Sequence, residues 1–376
     1  MAGHDRHTEN GPIRVPHADA PPPIGAFPPL FRDEREGVED VLLVPGATRA
    51  QGAGNRSRPE EADDFRTCFE RDRDRILHSP AFRRLAGKTQ VFIFPDDHQR
   101  TRLTHALEVA QVATAIARAC RLNVPLTEAI ALGHDCGHGP GGHSSEDALT
   151  PFLAGGYEHA AWGADVVLAP LNLCLETLDG IRNHSWSRPA PSTPEGEVVS
   201  FADRIAYSAH DLEDAVKAGV VDVVDLPADV VDRCGPHRSG QLRAFITDIV
   251  RTTSSTGQVA MSPALADALA ALREFNYGRI YLRPASIEQG DAVVRVLRAL
   301  VEHYVARPEL VVDETGGGAH EPEDGTDPVR RAVTYVAGMT DRFACTQALH
   351  LLDWPRHELP RGFDVGVGVG SASGPR

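Results

Sequence analysis

Thirteen consecutive residues, His134 to Glu146, gather three histidines and two carboxylates, with glycines and one proline between them. A packed core has no use for such a cluster, whereas a divalent metal with a phosphate beside it does. Neighbouring His134 and Asp135 can reach one ion from a helix end, because imidazole nitrogen and carboxylate oxygen both ligate such ions. Gly137, Gly139, Gly141 and Gly142 let the backbone approach a ligand closely. His143 and Glu146 lie three apart and share a face if a helix begins there.

Two further residues extend this set, His105 upstream and Asp203 downstream. Asp203 sits within Val198-Val199-Ser200-Phe201-Ala202-Asp203-Arg204-Ile205, beside an apolar stripe, where a carboxylate needs a compensating partner. Taken singly, Asp203 reads as half of an ion pair with a nearby arginine, and His105 as a satisfied core histidine. The ordered set His105, His134-Asp135 and Asp203, spread over three expected helices, points instead to one metal held inside a bundle.

The elements that must carry these side chains are helical. Residues 103–121 place Ala106, Val109, Ala113, Ile116 and Cys120 at alternating spacings of three and four. Pro125-Leu126-Thr127-Glu128 reads as a helix start with Thr127 as its cap, running to Asp135 and stopping at Gly137. From 194 to 218, Val198, Phe201, Ile205, Ala209, Leu212 and Val216 form another buried face. Helices are also expected at 64–86, 144–153, 158–169, 172–183, 239–252, 263–275, 286–305 and 328–352. Tyr277 to Leu282 reads as a short hairpin arm, and 313–327 as a Gly- and acid-rich loop. The fold class is therefore all-α. Residues 1–60, rich in Pro, Gly and charge, are expected to be a disordered tail. Residues 61–220 should form the metal and catalytic core, 221–360 a C-terminal helical part packed on it, and 361–376 a flexible tail.

The 376 residues, 41% hydrophobic and 24% charged, are ordinary for a water-soluble globular chain. No apolar run matches a membrane span and no basic-then-apolar leader opens the sequence, so a cytoplasmic location is expected. Six scattered cysteines without a CxxC pair fit reduced thiols. A net charge of −15 disfavours nucleic acid as a partner but not an anionic substrate in a local basic pocket. Lysine occurs only at 88 and 217, so arginine must supply most of that pocket.

The ordered set of histidines and aspartates resembles the HD phosphohydrolase superfamily, whose fold is a helical bundle. A longer match is similar to the bacterial dGTPase-like deoxynucleoside triphosphate triphosphohydrolases. It runs through Arg71 to Phe92, Arg102-Leu103-Thr104-His105, His134 to Glu146, Tyr157-Glu158-His159, Glu195 to Ala218 and Val336 to Ala344. The resemblance implies hydrolysis of a dNTP to deoxynucleoside and inorganic triphosphate. It implies His105, His134, Asp135 and Asp203 as metal ligands, with Mn, Mg, Fe, Co or Ni as the divalent ion. His143 would be the catalytic histidine and Glu146 the carboxylate that orients it, with His138 as a further active-site histidine. Arg102 and His159 would contact the phosphates, with Lys88 and Arg84 as further cations. Gln90 would contact the deoxyribose, and Tyr207 and Asp211 would stack on the sugar and bind its 3′-hydroxyl. A homo-oligomer is implied, with a nucleotide activator as a candidate partner. The rivals are another HD hydrolase, either a deoxynucleotidase or a phosphodiesterase, and a nucleotide-sensing protein of the same fold without turnover.

Overall fold

A computed structural model describes residues 3–8, 11–311 and 327–363. Its helices, in order, are α1 (Arg32–Leu42), α2 (Cys68–His78), α3 (Pro80–Arg84), α4 (Arg102–Ala119), α5 (Val124–Gly133), α6 (His143–Leu149), α7 (His159–Trp162), α8 (Leu175–Asn183), α9 (Pro194–Lys217), α10 (Ala228–Cys234), α11 (Arg238–Thr256), α12 (Pro263–Asn276), α13 (Pro284–Ala306), α14 (Pro328–Gly338) and α15 (Asp341–Leu352). Among the described residues the one sheet is a two-stranded antiparallel hairpin, His4–Thr8 with Gly11–Val15, in which His4 faces Val15 and Thr8 faces Gly11. The all-α class expected from the sequence holds.

The centre is α5, wrapped by α2, α4, α8 and α9. Ala129, Ile130, Ala131 and Leu132 of α5 are all but inaccessible to solvent, so this helix is apolar all round, as a central helix must be. Its cap is Asn123, whose side chain accepts from Leu126 N, with proline in the first turn. Thr127 instead donates back to Asn123 O, because it already lies inside the first turn. The helix ends at Gly133, and His134 to Gly137 form a turn outside it. Helix α9 starts on a Thr193 cap with Pro194 behind it and buries Val198, Val199, Ala202, Ile205 and Ala206 against the centre. A second apolar cluster joins α6 to α13, α14 and α15 through Leu149, Val293, Leu297, Val336 and Cys345.

The N-terminal segment corrects the expectation of a disordered tail. Beyond the hairpin and α1, residues 44–58 lie on the core, with Ala47 and Ala50 buried. Buried Glu195 of α9 accepts from Thr48 N, Thr48 Oγ1 and Asn123 N. The Arg56 guanidinium donates to Asp72 Oδ1 at 2.6 Å, and Asp72 Oδ2 accepts from Cys174 N and Thr177 Oγ1. Polar partners as far as 147 positions away in the chain order a segment whose own composition could not. Tyr277 to Tyr281 is a π-type turn continuing α12, not a hairpin arm; among the described residues the only strands are those of the N-terminal hairpin. The helix expected over 328–352 breaks at Met339, and Thr340 caps its second half. Of the loop expected at 313–327, only Asp327 lies among the described residues, where it caps α14. The tail expected over 361–376 falls outside them after Phe363. All six cysteines are buried and free. No described helix is long and apolar enough to cross a membrane.

Candidate metal and phosphate site

Helices α4 and α9 and the turn after α5 bring the four expected ligands to one point. His105 Nε2 lies 3.0 Å from Asp203 Oδ1 and 3.8 Å from Asp135 Oδ2. His134 Nε2 lies 3.6 Å from Asp203 Oδ1 and 3.5 Å from Asp135 Oδ1. His134 Nδ1 sits 2.6 Å from Ala131 O, so it carries the ring proton and Nε2 holds a free lone pair. That Nε2 is buried without a hydrogen-bond partner. An orphaned buried acceptor is costly unless something fills the gap. Imidazole nitrogens and carboxylate oxygens gathered this closely fit a divalent cation. Without a cation the charges fall on protons. Burial opposes a charged His134, yet Asp135 and Asp203 overcome it and raise its pKa to about 9. Burial likewise works against Asp203, but its hydrogen bond with His105 and the charge of nearby His134 hold it well below the usual carboxylate range.

The second half of the site is a row of histidines beside Asp135. His138 Nε2 is 3.2 Å from Asp135 Oδ1, and its ring stacks on His159 with centroids 3.7 Å apart. Burial, then the Arg102 guanidinium, keeps His138 neutral by pushing its pKa well down. His143, on the first turn of α6, lies 5.1 Å from His138 between ring centroids and is the exposed member of the row. Although one edge meets solvent, the crowded cleft, Arg102 and His159 push it down to about 4.

Glu146 takes a partner other than the one expected. Its Oε1 meets His159 Nδ1 at 2.7 Å and accepts from His159 N at 2.8 Å, so it orients His159 rather than His143. The physical cause is α7, which starts at His159 and aims both groups at α6.

The expected cations divide. Arg102 is 2% exposed and donates through Nη1 to Asp135 Oδ2 at 2.6 Å, while its Nε and Nη2 are buried without partners. A guanidinium with two idle donors beside candidate metal ligands suits a phosphate. Lys88 does not reach this cleft with a free charge. It is 3% exposed and donates to His138 O and, at 3.0 Å, to Ala337 O. Burial, then Arg84, lowers its pKa to about 7.

Among the residues expected to meet the deoxyribose, Gln90 Oε1 is buried without a partner. The Tyr207 hydroxyl accepts from Arg273 Nε at 2.9 Å. Asp211 Oδ2 accepts from the Tyr281 hydroxyl at 2.5 Å, its Oδ1 is buried and unpartnered, and burial raises its pKa to about 7. Sequence reasoning missed His184 at the end of α8. Its Nε2 is 3.3 Å from His159 Nε2, and it can join His134 and Asp135 around an ion. It missed Trp186 too, over which Arg204 stacks at 3.6 Å. A lone histidine after Asn183 carries no pattern, so only the fold reveals it.

Helices deliver paired histidines and aspartates to one buried point, as an HD-type phosphohydrolase requires, and residues 102–208 match the HD domain family model. Residues 259–349 match the phosphohydrolase-associated domain. A deoxyguanosinetriphosphate triphosphohydrolase-like protein of Caldanaerobacter subterraneus subsp. tengcongensis is 42% identical over 320 residues, covering 83% of this chain and 93% of that protein. Proteins of the same description from Clostridium perfringens (40% identity, 87% of this chain, 98% of that one) and Desulfatibacillum aliphaticivorans (40%, 84% and 96%) are similarly related. The chain belongs to the HD-domain deoxyguanosinetriphosphate triphosphohydrolase-like family.

Proposed function

We propose that the protein hydrolyses a dNTP to deoxynucleoside and inorganic triphosphate, using a divalent metal held by His105, His134, Asp135 and Asp203. The carrying observation is the buried, unpartnered Nε2 of His134 among three other ligand groups, with the idle donors of Arg102 alongside. A bound metal would polarise a phosphate oxygen and offset its charge. Arg102 Nε and Nη2 supply donors to the same phosphates, which an acidic protein needs locally. Hydrolysis at the α-phosphorus takes a proton from water and returns one to the 5′-oxygen as that bond breaks. His143, neutral and solvent-facing, presents a lone pair at neutral pH and is the group placed to move that proton. Glu146 holds His159 in one tautomer, and stacked His138 and His159 line the phosphate side. Tyr207 and the free oxygen of Asp211 would face the deoxyribose, a tyrosine ring leaving no room for a 2′-hydroxyl.

The test is a panel of four dNTPs with Mn, Mg, Fe, Co or Ni, with both products resolved by chromatography. Triphosphate with deoxynucleoside supports the reading, and orthophosphate or pyrophosphate overturns it. Binding without product with any base would favour the nucleotide-sensing alternative. The homo-oligomer and the nucleotide activator belong to the same proposal. They are checked by light scattering and by adding a second dNTP to each assay.

A further inference from the structure

The segment from Val336 to Ala344 has no role in the chemistry above, yet the loop that delivers His143 is tied to it. Asp341, the first residue of α15, is buried under that loop. Its Oδ1 accepts from Gly141 N at 2.8 Å. Its Oδ2 accepts from Thr89 N at 2.9 Å and Thr89 Oγ1 at 2.6 Å. Next to Thr89, Lys88 donates to His138 O and Ala337 O. One carboxylate and one ammonium thus join residues 88–89, 138–141 and 337–341.

The loop is closed in from its other sides as well. A Cβ on Gly141 would stand 2.6 Å from Val293 of α13, and one on Gly142 would stand 2.8 Å from Arg102 Nη2. Both glycines have positive φ, at 72° and 63°, which other residues rarely adopt. Ser145 Oγ accepts from Gly139 N at 3.0 Å and donates to Gly142 O at 2.6 Å. His143 follows at once.

We propose that Asp341 is a positioning residue that holds Gly141 to Thr89 and so fixes where His143 stands relative to the metal ligands. It bonds none of the histidines itself, and its bonded partners are Thr89 and Gly141. Three donors converge on it, and only a carboxylate accepts with both oxygens. An asparagine in its place must aim an NH2 at one of those donors and release one arm of the clamp. The proposal rests on the reading of His143 as the proton-transfer group.

Asp341→Asn, Thr89→Val and Thr89→Ser are compared with the wild-type chain, each checked for folding by circular dichroism. We expect Asp341→Asn to lower kcat by about tenfold or more while KM and bound metal change less than about twofold, as expected for a displaced reacting group. Thr89→Val should lose a smaller part of kcat, and Thr89→Ser should keep it. The substrate-independent readout is the rate of His143 modification by diethyl pyrocarbonate, mapped by peptide mass. It should change by about threefold or more in Asp341→Asn if the loop moves. Folded Asp341→Asn with wild-type kcat and wild-type His143 reactivity overturns the proposal. If that variant does not fold, Thr89→Val decides, and wild-type values there overturn it. If the wild type cleaves no dNTP, the functional reading fails, and His143 reactivity alone decides the clamp.

Discussion

The proposed metal end and the proposed proton-transfer end of the cleft are built in different ways. His105 projects from the first turn of α4 and Asp203 from the middle of α9, and His134 and Asp135 follow directly on a third helix. His143 instead hangs on a glycine loop pinned by Thr89, Arg102 and Asp341, whose places in the chain span about 250 positions. Rigid helices packed on one another fix the first set through their buried apolar faces. The second set depends on partners from elsewhere, so single changes should separate the two ends.

The largest expected effect is at the metal end. Asp203→Ala removes the carboxylate that faces both His105 and His134. We expect metal loss by elemental analysis and activity below about one thousandth of wild type, with helical circular dichroism retained. Unchanged metal content would refute the ligand assignment. His143→Asn should break only the other end. Activity should fall by about 10²–10⁴-fold, the usual worth of a positioned acid or base, with metal content unchanged. Loss of metal in that variant would show that the two ends are one unit.

Glu146→Gln should do less, because it acts through His159. A loss of about 10–100-fold is expected, the range for partners that orient an active-site group. Imidazole nitrogen NMR should show the main perturbation at His159; a change confined to His143 would restore the pairing expected from the sequence. Gly142→Ala should cost about 1–3 kcal/mol of stability, the scale for a non-glycine residue held at such a backbone angle, read by urea unfolding.

The same contrast explains what could be read in advance. The apolar spacings of 103–121 and 194–218 set two helices almost to their ends, since burial of one face decides both period and length. Two of the candidate ligands, His105 and Asp203, are borne on those helices, so their approach to one point was legible. Lys88 reads from the sequence as a phosphate cation because its charge is visible there and its two carbonyl partners are not. Residues 44–58 were read as a tail for the same reason, their order coming from Glu195 and Asp72. His184 and Asp341 had no local pattern, since the first serves a histidine 25 positions away and the second a glycine 200 positions away.

The smallest expected effect is at the proposed sugar side, where Asp211 is buried between Tyr281 and an empty hydrogen-bonding direction at Oδ1. Its pKa is raised from 3.8 to about 7 by burial, so the folded protein keeps a proton there that the unfolded chain gives up above pH 4. The sign follows directly. Stability from this group is fully present below about pH 4 and is lost as pH rises through about 7. Asparagine mimics the protonated form at every pH. Asp211→Asn should therefore flatten the fall in stability between pH 4.5 and 7.5 by on the order of 1 kcal/mol, less than the full shift implies because charged groups and water relax it. Urea unfolding at several pH values reads the slope. Parallel wild-type and variant slopes would mean that Asp211 is ionised in the folded protein. Tyr281 would then be donating to a carboxylate and not to a neutral acid.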